Sequence, residues 1–445
     1  MANPIVNIFR VKELRERVLF TLGMLFVFRI GAHFPVPGIN VGELNRYFRD
    51  LTGPGGNPIV DYLDFFAGGA FTNFSVFMLG IMPYISMSII MQLLLIVFPN
   101  LKKISQEEGG RKRIKKWQRY GTVGICLIQS FAITQFARSI IGQGVALIYP
   151  QLTFFQFSLI AMLTVTTGTM FLMWIGEQIT KRGVGNGISL LIFAGIVARL
   201  PAAVWELIDM MRRGTLNPVF VVIVLVMFIA VITLVVFEQQ GQRKIPVNYA
   251  KRVVGRKMYG AQNTYIPFKI NPSGVIPVIF ASSILTFPLQ IAHTLGGRGG
   301  WLASLAVLMD PMGMFYNILF VLLIIFFAYF YTQVTLNPIE IAKQIRENGG
   351  SIPGIRTENI ERYLTRILNR IVLPGAVYLA MIAIIPTIIQ IIFRFPTSVA
   401  HLMGGTSLLI MVGVGLDTMS QVEGLLKMHH HEGLTKRGRL RGRNL

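Results

Sequence analysis

The sequence predicts an all-α, polytopic membrane protein with ten transmembrane helices in two inverted five-helix halves. Three observations support this fold class. Of the 445 residues, 53% are hydrophobic and only 14% are charged, whereas about a quarter are charged in a typical soluble chain. Ten apolar segments approach the ~20 residues that a helix needs to cross a bilayer. Lysine and arginine are concentrated in alternate connections between these segments.

The ten predicted spans lie near residues 18–37, 74–98, 118–138, 154–175, 187–204, 217–237, 272–292, 314–334, 371–393 and 398–417. The fifth is the least regular, because Gly195 and Pro201 interrupt it. Of the 42 Lys and Arg residues, 33 fall in the termini and the connections on one face. Because positive charge favours the cytoplasmic side, we expect both termini there.

The beginning of the chain carries no pattern of a cleaved leader. Residues 1–20 contain charges from Arg10 onward and no apolar run followed by a cleavage site, so we expect the first span to stay in the mature protein. No Ser- and Arg-rich transit segment precedes Arg10, which favours a bacterial plasma membrane over a plastid. The single cysteine, Cys126, excludes an internal disulfide and a cysteine-based metal site.

Span counting divides the chain into an N-terminal half (residues 1–210), a C-terminal half (211–426) and a basic tail (427–445). With five spans in each half, the second half must run inverted relative to the first. This is the geometry of inverted repeats around a site near the membrane midplane. Carriers and channels share that geometry, so both remain open.

Residues 61–73, DYLDFFAGGAFTN, precede the second span. The run is too short to cross a bilayer and too apolar to be well solvated. Irregular backbone at membrane depth must be buried in protein or line a cavity. We therefore weigh two interpretations, an external loop packed on the surface and a movable stopper in a pore.

Ionisable residues in membrane spans are the first functional candidates, because each is costly there. Arg29 lies late in the first span, and we expect it to reach outward to the interface. Glu177 and Asp417 lie at the ends of spans, and Glu238 lies just beyond one. There is no array of acids or histidines for ion coupling, and three adjacent histidines at 429–431 cannot easily converge on one metal. No nucleophile–base pair or phosphate loop indicates an enzyme.

Isoleucines recur in the spans at helical spacing. Ile81 and Ile85 share one helix face, as do Ile188 and Ile192. They are either ordinary core and lipid-facing residues or part of an apolar ring that closes a pore by excluding water. Composition alone does not choose between the two.

Two long basic connections, residues 238–270 and 335–370, contain seven and six Lys or Arg residues. Turns at Gly349-Gly350 and Pro353-Gly354 are predicted to place Arg356 at a loop tip. The charge could simply set membrane orientation and contact anionic lipid. It also suits an acidic protein partner or an RNA backbone.

Seven blocks of the sequence carry a resemblance that runs from about Arg15 to Gly424. The blocks are FRIGAHFPVPGIN (28–40), LGIMPYISMSIIMQLL (79–94), GEQITKRGVGNGISLLIFAGIVARLP (176–201), KIPVNYAKR (244–252), NPSGVIPVIFASSI (271–284), IPGIRT (352–357) and GGTSLLIMVGVGLDTMSQV (404–422). In this order they resemble the SecY family of protein-translocation channels.

The resemblance implies ten helices around a central pore and assigns roles to residues. The pore ring falls on Ile81, Ile85, Ile188, Ile192, Ile279 and Ile410. Residues 61–73 correspond to the plug, with Asp61, Leu63, Phe65, Phe66, Gly68, Gly69 and Phe71 as its named members. The lateral gate between spans 2–3 and 7–8 would include Ser86, Gln129, Ser282 and Ser283. Contacts to the motor or ribosome would come from Arg243, Lys251, Arg252, Arg256 and Arg356.

As a member of this family, the chain is expected to pass unfolded secretory proteins across the bacterial plasma membrane and to release membrane segments sideways into lipid. Implied partners are the small subunits SecE and SecG, the SecA ATPase, the ribosome, signal peptides and nascent chains, membrane lipids, and SecDF and YidC. No cofactor is expected. The alternative is an ion-coupled secondary transporter, which predicts charged residues near the midplane.

Overall fold

Helices make up most of this computed structural model, which describes residues 11–51, 64, 67–142, 145–214, 218–249, 252–254, 257–259, 263–296, 304, 307–310, 313–393 and 405–437. The described residues form two compact units, one within residues 1–206, 290–303 and 414–445, the other within 207–289 and 304–413.

The helices of the chain begin and end as follows: α1 Lys12–Gly31, α2 Val41–Leu51, α3 Met82–Val97, α4 Pro99–Gln106, α5 Gly110–Gly142, α6 Phe154–Arg182, α7 Gly187–Arg212, α8 Pro218–Gln240, α9 Ile276–Gly296, α10 Met314–Thr335, α11 Pro338–Glu347, α12 Ile360–Phe393 and α13 Gly405–Arg437. A short 3₁₀ helix spans Thr357–Asn359.

Each of the ten predicted spans falls wholly or partly on one of these helices, and ten spans fit the arrangement. Among the described residues, seven helices are long and apolar enough to cross a membrane, or eight if α3 and α4 count as one bent span. The bend between α3 and α4 is 104°. Fold class is therefore confirmed as a helical membrane protein.

The predicted start of the second span at Phe74 is wrong. Residues 68–74 and 76–81 form turns on either side of a β-bridge between Ser75 and Pro35, and the helix begins only at Met82. Phe74 and Gly80 have φ angles of 46° and 57°, which interrupt a right-handed helix. Pro83, with its fixed φ, then starts the helix in its first turn. Apolar composition gave no sign of the boundary because these turns are themselves mostly buried.

The two long basic connections fold together into an α/β subdomain, which we define as strands β1 (Gln242–Tyr249), β4 (Asn263–Lys269) and β5 (Gly350–Ser351), helix α11 and the first turns of α12. Strand β1 lies between β4 and β5 and is antiparallel to both. Strands β2 (Arg252–Val254) and β3 (Lys257–Tyr259) form a separate hairpin.

Alternation along β1 explains how the α/β subdomain holds together. Ile245 and Val247 point inward and are buried, while their neighbours along the strand are exposed. These two residues pack with Phe268 of β4, Ile345 of α11 and Ile360 of α12 in one apolar core. The period of two is typical of a strand with one buried face. At the start of α11, the side chain of Asn337 caps the helix by accepting a hydrogen bond from the amide of Ile339 at 3.2 Å.

Candidate functional site

The described part of the plug segment, residues 61–73, is organised around the carboxylate of Asp64. The backbone amides of Phe71 and Thr72 each donate a hydrogen bond to Asp64 Oδ1 at 2.9 Å. The Thr72 hydroxyl donates to Oδ2 at 3.1 Å, and the amide of Gly69 donates to the Asp64 carbonyl at 3.1 Å. Asp64 is completely buried. The described residues of the segment therefore form a turn around one acidic side chain.

Two arginines from neighbouring helices bind this turn. Arg199 of α7 forms an ion pair with Asp64 Oδ2. Arg29 of α1 donates a hydrogen bond from Nη1 to the carbonyl of Gly68 at 2.6 Å. Gly68 also lies so close to Gly195 of α7 that an added Cβ would stand 2.7 Å from the Gly195 Cα. The turn thus touches both helices through polar bonds and one backbone contact.

The prediction that Arg29 reaches outward to the interface is wrong. Its guanidinium is half-buried and turns toward the plug segment, where the Gly68 carbonyl accepts a hydrogen bond from Nη1. The left-handed turn at Gly68 and Gly69, with φ angles of 65° and 90°, directs that carbonyl toward α1. An arginine that finds such a strong acceptor inside the protein has no need to extend to water.

Asp64 and Arg199 are the functional candidates that the sequence analysis missed. Arg199 lies inside the predicted fifth span, and an ionisable residue at such a position is by default a functional candidate. That signal was available from the sequence. The identity of its partner was not, because the two residues are 135 positions apart.

The named plug residues divide into two groups. Gly68 and Phe71 are buried and Gly69 is half-buried. Asp61, Leu63, Phe65 and Phe66 lie outside the described residues. The assignment of all seven residues to a plug remains a prediction.

The six predicted ring residues are all described. In the first unit Ile81, Ile85 and Ile192 are buried and Ile188 is half-buried. Ile81 directly precedes α3, where its carbonyl accepts a hydrogen bond from the amide of Ile85 at 3.2 Å. In the second unit Ile279 lies in the first turn of α9 and Ile410 lies in α13, and both are buried. Their assembly into one ring remains a prediction.

The predicted gate residues are buried but differ in their bonding. Ser282 and Ser283 of α9 both donate to the carbonyl of Ile279, at 2.9 and 2.7 Å, so their hydroxyls are satisfied within their own helix. Ser86 on α3 and Gln129 on α5 are also buried. The Oε1 atom of Gln129 accepts no hydrogen bond among the described residues. Their role in a gate stays a prediction.

The basic positions of the α/β subdomain are exposed where the structure describes them. Arg243 on β1 points to solvent, and Arg356 lies just before the 3₁₀ helix, beyond turns at Gly349 and Gly354 with positive φ. The predicted loop tip is therefore observed. Lys244 lies over the Tyr265 ring, with Nζ 4.7 Å from the centroid. Lys251 and Arg256 lie outside the described residues, as does the side chain of Arg252, whose backbone is in β2.

The prediction that Glu238 lies just beyond the end of its span is wrong. It lies in the last turn of α8, which continues to Gln240, and it is only 4% exposed. The side chain of Gln239 donates a hydrogen bond to its Oε2 at 2.8 Å. Within the part of the chain that the structure describes, no group of three or more His, Cys, Asp or Glu residues could hold a metal ion. The side chains of His429, His430 and His431 lie outside that part.

Comparison with known proteins gives consistent matches over nearly the whole chain. The sequence model of the SecY family matches residues 75–419. The protein translocase subunit SecY of Borreliella burgdorferi is 45% identical over 429 residues, which cover 96% of each chain. The protein translocase subunit SecY of Escherichia coli K12 is 43% identical over 434 residues, which cover 97% of this chain and 96% of the relative.

Solved structures share the fold at lower identity. A structure described as a protein-conducting channel has a TM-score of 0.62 at 21% identity and covers 92% of this chain and 91% of the other. A SecY structure has a TM-score of 0.63 at 20% identity, with the same coverage. Its description states that the plug domain of that protein stabilises the closed state of the translocation channel and maintains a membrane seal. Sec61 in a canine ribosome-channel complex has a TM-score of 0.58 at 19% identity, also with the same coverage.

Proposed function

The chain belongs to the SecY family, and we propose that it is the central protein-conducting channel of a general secretory translocase. The observation that carries this function is the 43–45% identity to translocase subunits over 96–97% of the chain. Unfolded secretory proteins cross the membrane through this channel. Signal sequences and membrane segments leave it sideways into lipid.

The seal of the pore comes from isoleucine. Ile81, Ile85, Ile188, Ile192, Ile279 and Ile410 form the constriction. A ring of apolar side chains excludes water and therefore ions. The β-branched side chain has few rotamers, so the ring recovers one shape after a bulky chain has passed. The burial of five of these residues and the partial burial of Ile188 support an apolar environment.

The plug segment closes the resting channel from one side of this ring. The support is the turn that its described residues form around Asp64, which contacts α1 through Arg29 and α7 through Arg199. A turn that carries its own internal hydrogen bonds moves as a unit without exposing unpaired amides. The lateral gate, with Ser86, Gln129, Ser282 and Ser283, opens between spans 2–3 and 7–8.

The driving energy comes from partners that bind the α/β subdomain. The sequence contains no phosphate-binding glycine loop. Two kinds of partner surface suit these basic positions, an acidic face of the SecA motor and the phosphates of ribosomal RNA. The positions are the exposed Arg243 with Lys251, Arg252 and Arg256 on the first connection, and the exposed Arg356 on the second. The ribosome is supported by the related fold of Sec61 in its ribosome complex. SecE and SecG complete the channel, and SecDF and YidC act with it.

The protein is a multi-pass membrane protein, and we place it in the bacterial inner membrane with both termini in the cytoplasm. The excess of positive charge on one face supports this orientation. An ion-coupled transporter is not favoured. That mechanism needs a carboxylate open to an ion, whereas Asp64 is enclosed and paired with Arg199.

The test is reconstitution of the full-length chain with SecE and SecG in liposomes. SecA, ATP and a signal-bearing precursor are added, and protease-protected product is measured. Protection that requires both ATP and an intact signal is the expected result. A correctly folded, partner-bound channel that yields no protected product would refute the function.

A further inference from the structure

The ion pair between Asp64 and Arg199 joins the plug segment of the proposed channel to helix α7. Asp64 has no exposed side-chain surface, and Arg199 retains 22% exposure. Both charges lie within apolar sequence, where each alone would be costly. The contact between the plug segment and α7 therefore compensates the cost of both charges.

The energetics favour a positioning role over a stabilising one. A buried ion pair contributes little net stability, since desolvation offsets much of the attraction, but the loss of one partner leaves an uncompensated charge. Such a pair penalises every arrangement in which its members separate. Its effect is to specify one position of the plug segment relative to α7.

The position of Arg199 on α7 connects this contact to the pore ring. Ile188, Ile192, Gly195 and Arg199 follow each other at spacings of four, three and four residues, so they share one face of the helix. Along this face the ring residues come first, then the glycine that touches Gly68, then the arginine that binds Asp64. A displacement of α7 at the ring therefore also pulls on the ion pair.

We propose that the Asp64–Arg199 ion pair, supported by the Arg29–Gly68 hydrogen bond, is an electrostatic latch that holds the plug segment on α7 in the resting channel. The inference rests on the proposed channel function and adds to it the residues that set the threshold for opening. The latch releases when an entering chain moves α7, because Asp64 keeps its three bonds within the turn while the pair with Arg199 breaks. The plug then leaves as a folded unit.

The test uses the full-length chain with its small subunits in planar bilayers and measures resting ion conductance. Arg199→Gln and Asp64→Asn are each expected to raise that conductance at least about tenfold, because either leaves one charge without its partner. The double variant is expected to conduct at least about threefold less than the product of the two single effects, because it removes both charges together. Arg199→Lys keeps the charge and is expected to stay closer to the unmodified protein than Arg199→Gln does.

Arg213→Gln is the matched control. It breaks a different ion pair of the same chain, between Arg213 and Asp209. The Arg213 side chain is 72% exposed and the Asp209 side chain 43%. An exposed pair of this kind contributes little, so no change in resting conductance is expected. Single variants at Asp64 and Arg199 that conduct like Arg213→Gln, or whose effects simply multiply, would overturn the latch.

A measurement on the unmodified protein covers the case in which a variant fails to fold. The amides of Phe71 and Thr72 bond to the Asp64 carboxylate, so hydrogen exchange of a peptide containing them reports on the turn. We expect the peptide to exchange slowly at rest. When a precursor occupies the channel, we expect exchange of the α7 amides around Arg199 to rise at least about tenfold, which supports release of the latch. Unchanged exchange at α7 overturns it. Translocation of the precursor itself is scored in the same samples, so loss of the channel function is separated from loss of the latch.

Discussion

Alanine at Gly68 tests whether close packing between the plug segment and α7 keeps the channel closed. Gly68 adopts a φ angle of 65°, and a Cβ built there lies 2.7 Å from the Cα of Gly195 and 3.2 Å from its carbonyl oxygen. Because the obstacle is backbone, it cannot rotate away. The plug segment or α7 must shift.

The size of the effect follows from two terms. A left-handed conformation costs a residue with a side chain about 1–2 kcal/mol. Inserting a methyl group into a packed contact costs about 1–3 kcal/mol. Gly69→Ala separates the two terms, since Gly69 also has a positive φ, 90°, but among the described residues the nearest atom to its Cβ would be Arg199 Nε, at 4.0 Å. The difference between the variants is the contact term, which corresponds to a roughly 5- to 150-fold larger open fraction for Gly68→Ala.

Resting conductance in planar bilayers measures this difference directly. We expect Gly68→Ala to leak ions well above Gly69→Ala, and Gly69→Ala to lie between it and the unmodified channel. Equal conductance of the two alanine variants would show that backbone strain alone matters and that contact with Gly195 does not hold the plug.

Three further predictions concern the ring and the α/β subdomain. Ile410→Asn should wet the constriction and raise resting conductance, and unchanged conductance would contradict its place in the ring. Arg356→Glu should abolish SecA-dependent export, whereas Lys343→Glu, a charge reversal at another exposed position of the same subdomain, should not. Normal export by the Arg356→Glu variant would show that the contact with SecA lies elsewhere. Phe268→Ala should cost about 3–5 kcal/mol of subdomain stability and speed limited proteolysis there, whereas Tyr265→Ala on the exposed face of β4 should not.

The helices were predictable because the bilayer restricts their composition. Every span must be apolar over about 20 residues, and each of the ten predicted segments overlaps a described helix wholly or in part. The exact starts were less accessible. The turns at residues 68–81 are as apolar as a helix because they are buried in protein, so hydropathy does not separate them from α3.

The α/β subdomain was predictable in part. The alternation of buried and exposed residues in β1 is visible in QRKIPVNY, where isoleucine and valine stand two positions apart. The pairing of β1 with Gly350 and Ser351 was not predictable, because about a hundred residues, including two predicted spans, lie between the paired strands. Excess positive charge predicted where the connections lie but not how they fold.

The Asp64–Arg199 pair shows where physical reasoning from sequence could have gone further. An arginine inside a predicted span must find a compensating group, because isolated charges are not tolerated at membrane depth. Carboxylates next to apolar sequence are few in this chain, and two of them, Asp61 and Asp64, lie in the plug segment. Searching for a partner for Arg199 would thus have led to Asp61 or Asp64. Only the turn geometry separates these, because it is Asp64 whose carboxylate faces the amides of Phe71 and Thr72 and becomes fixed for the arginine to bind.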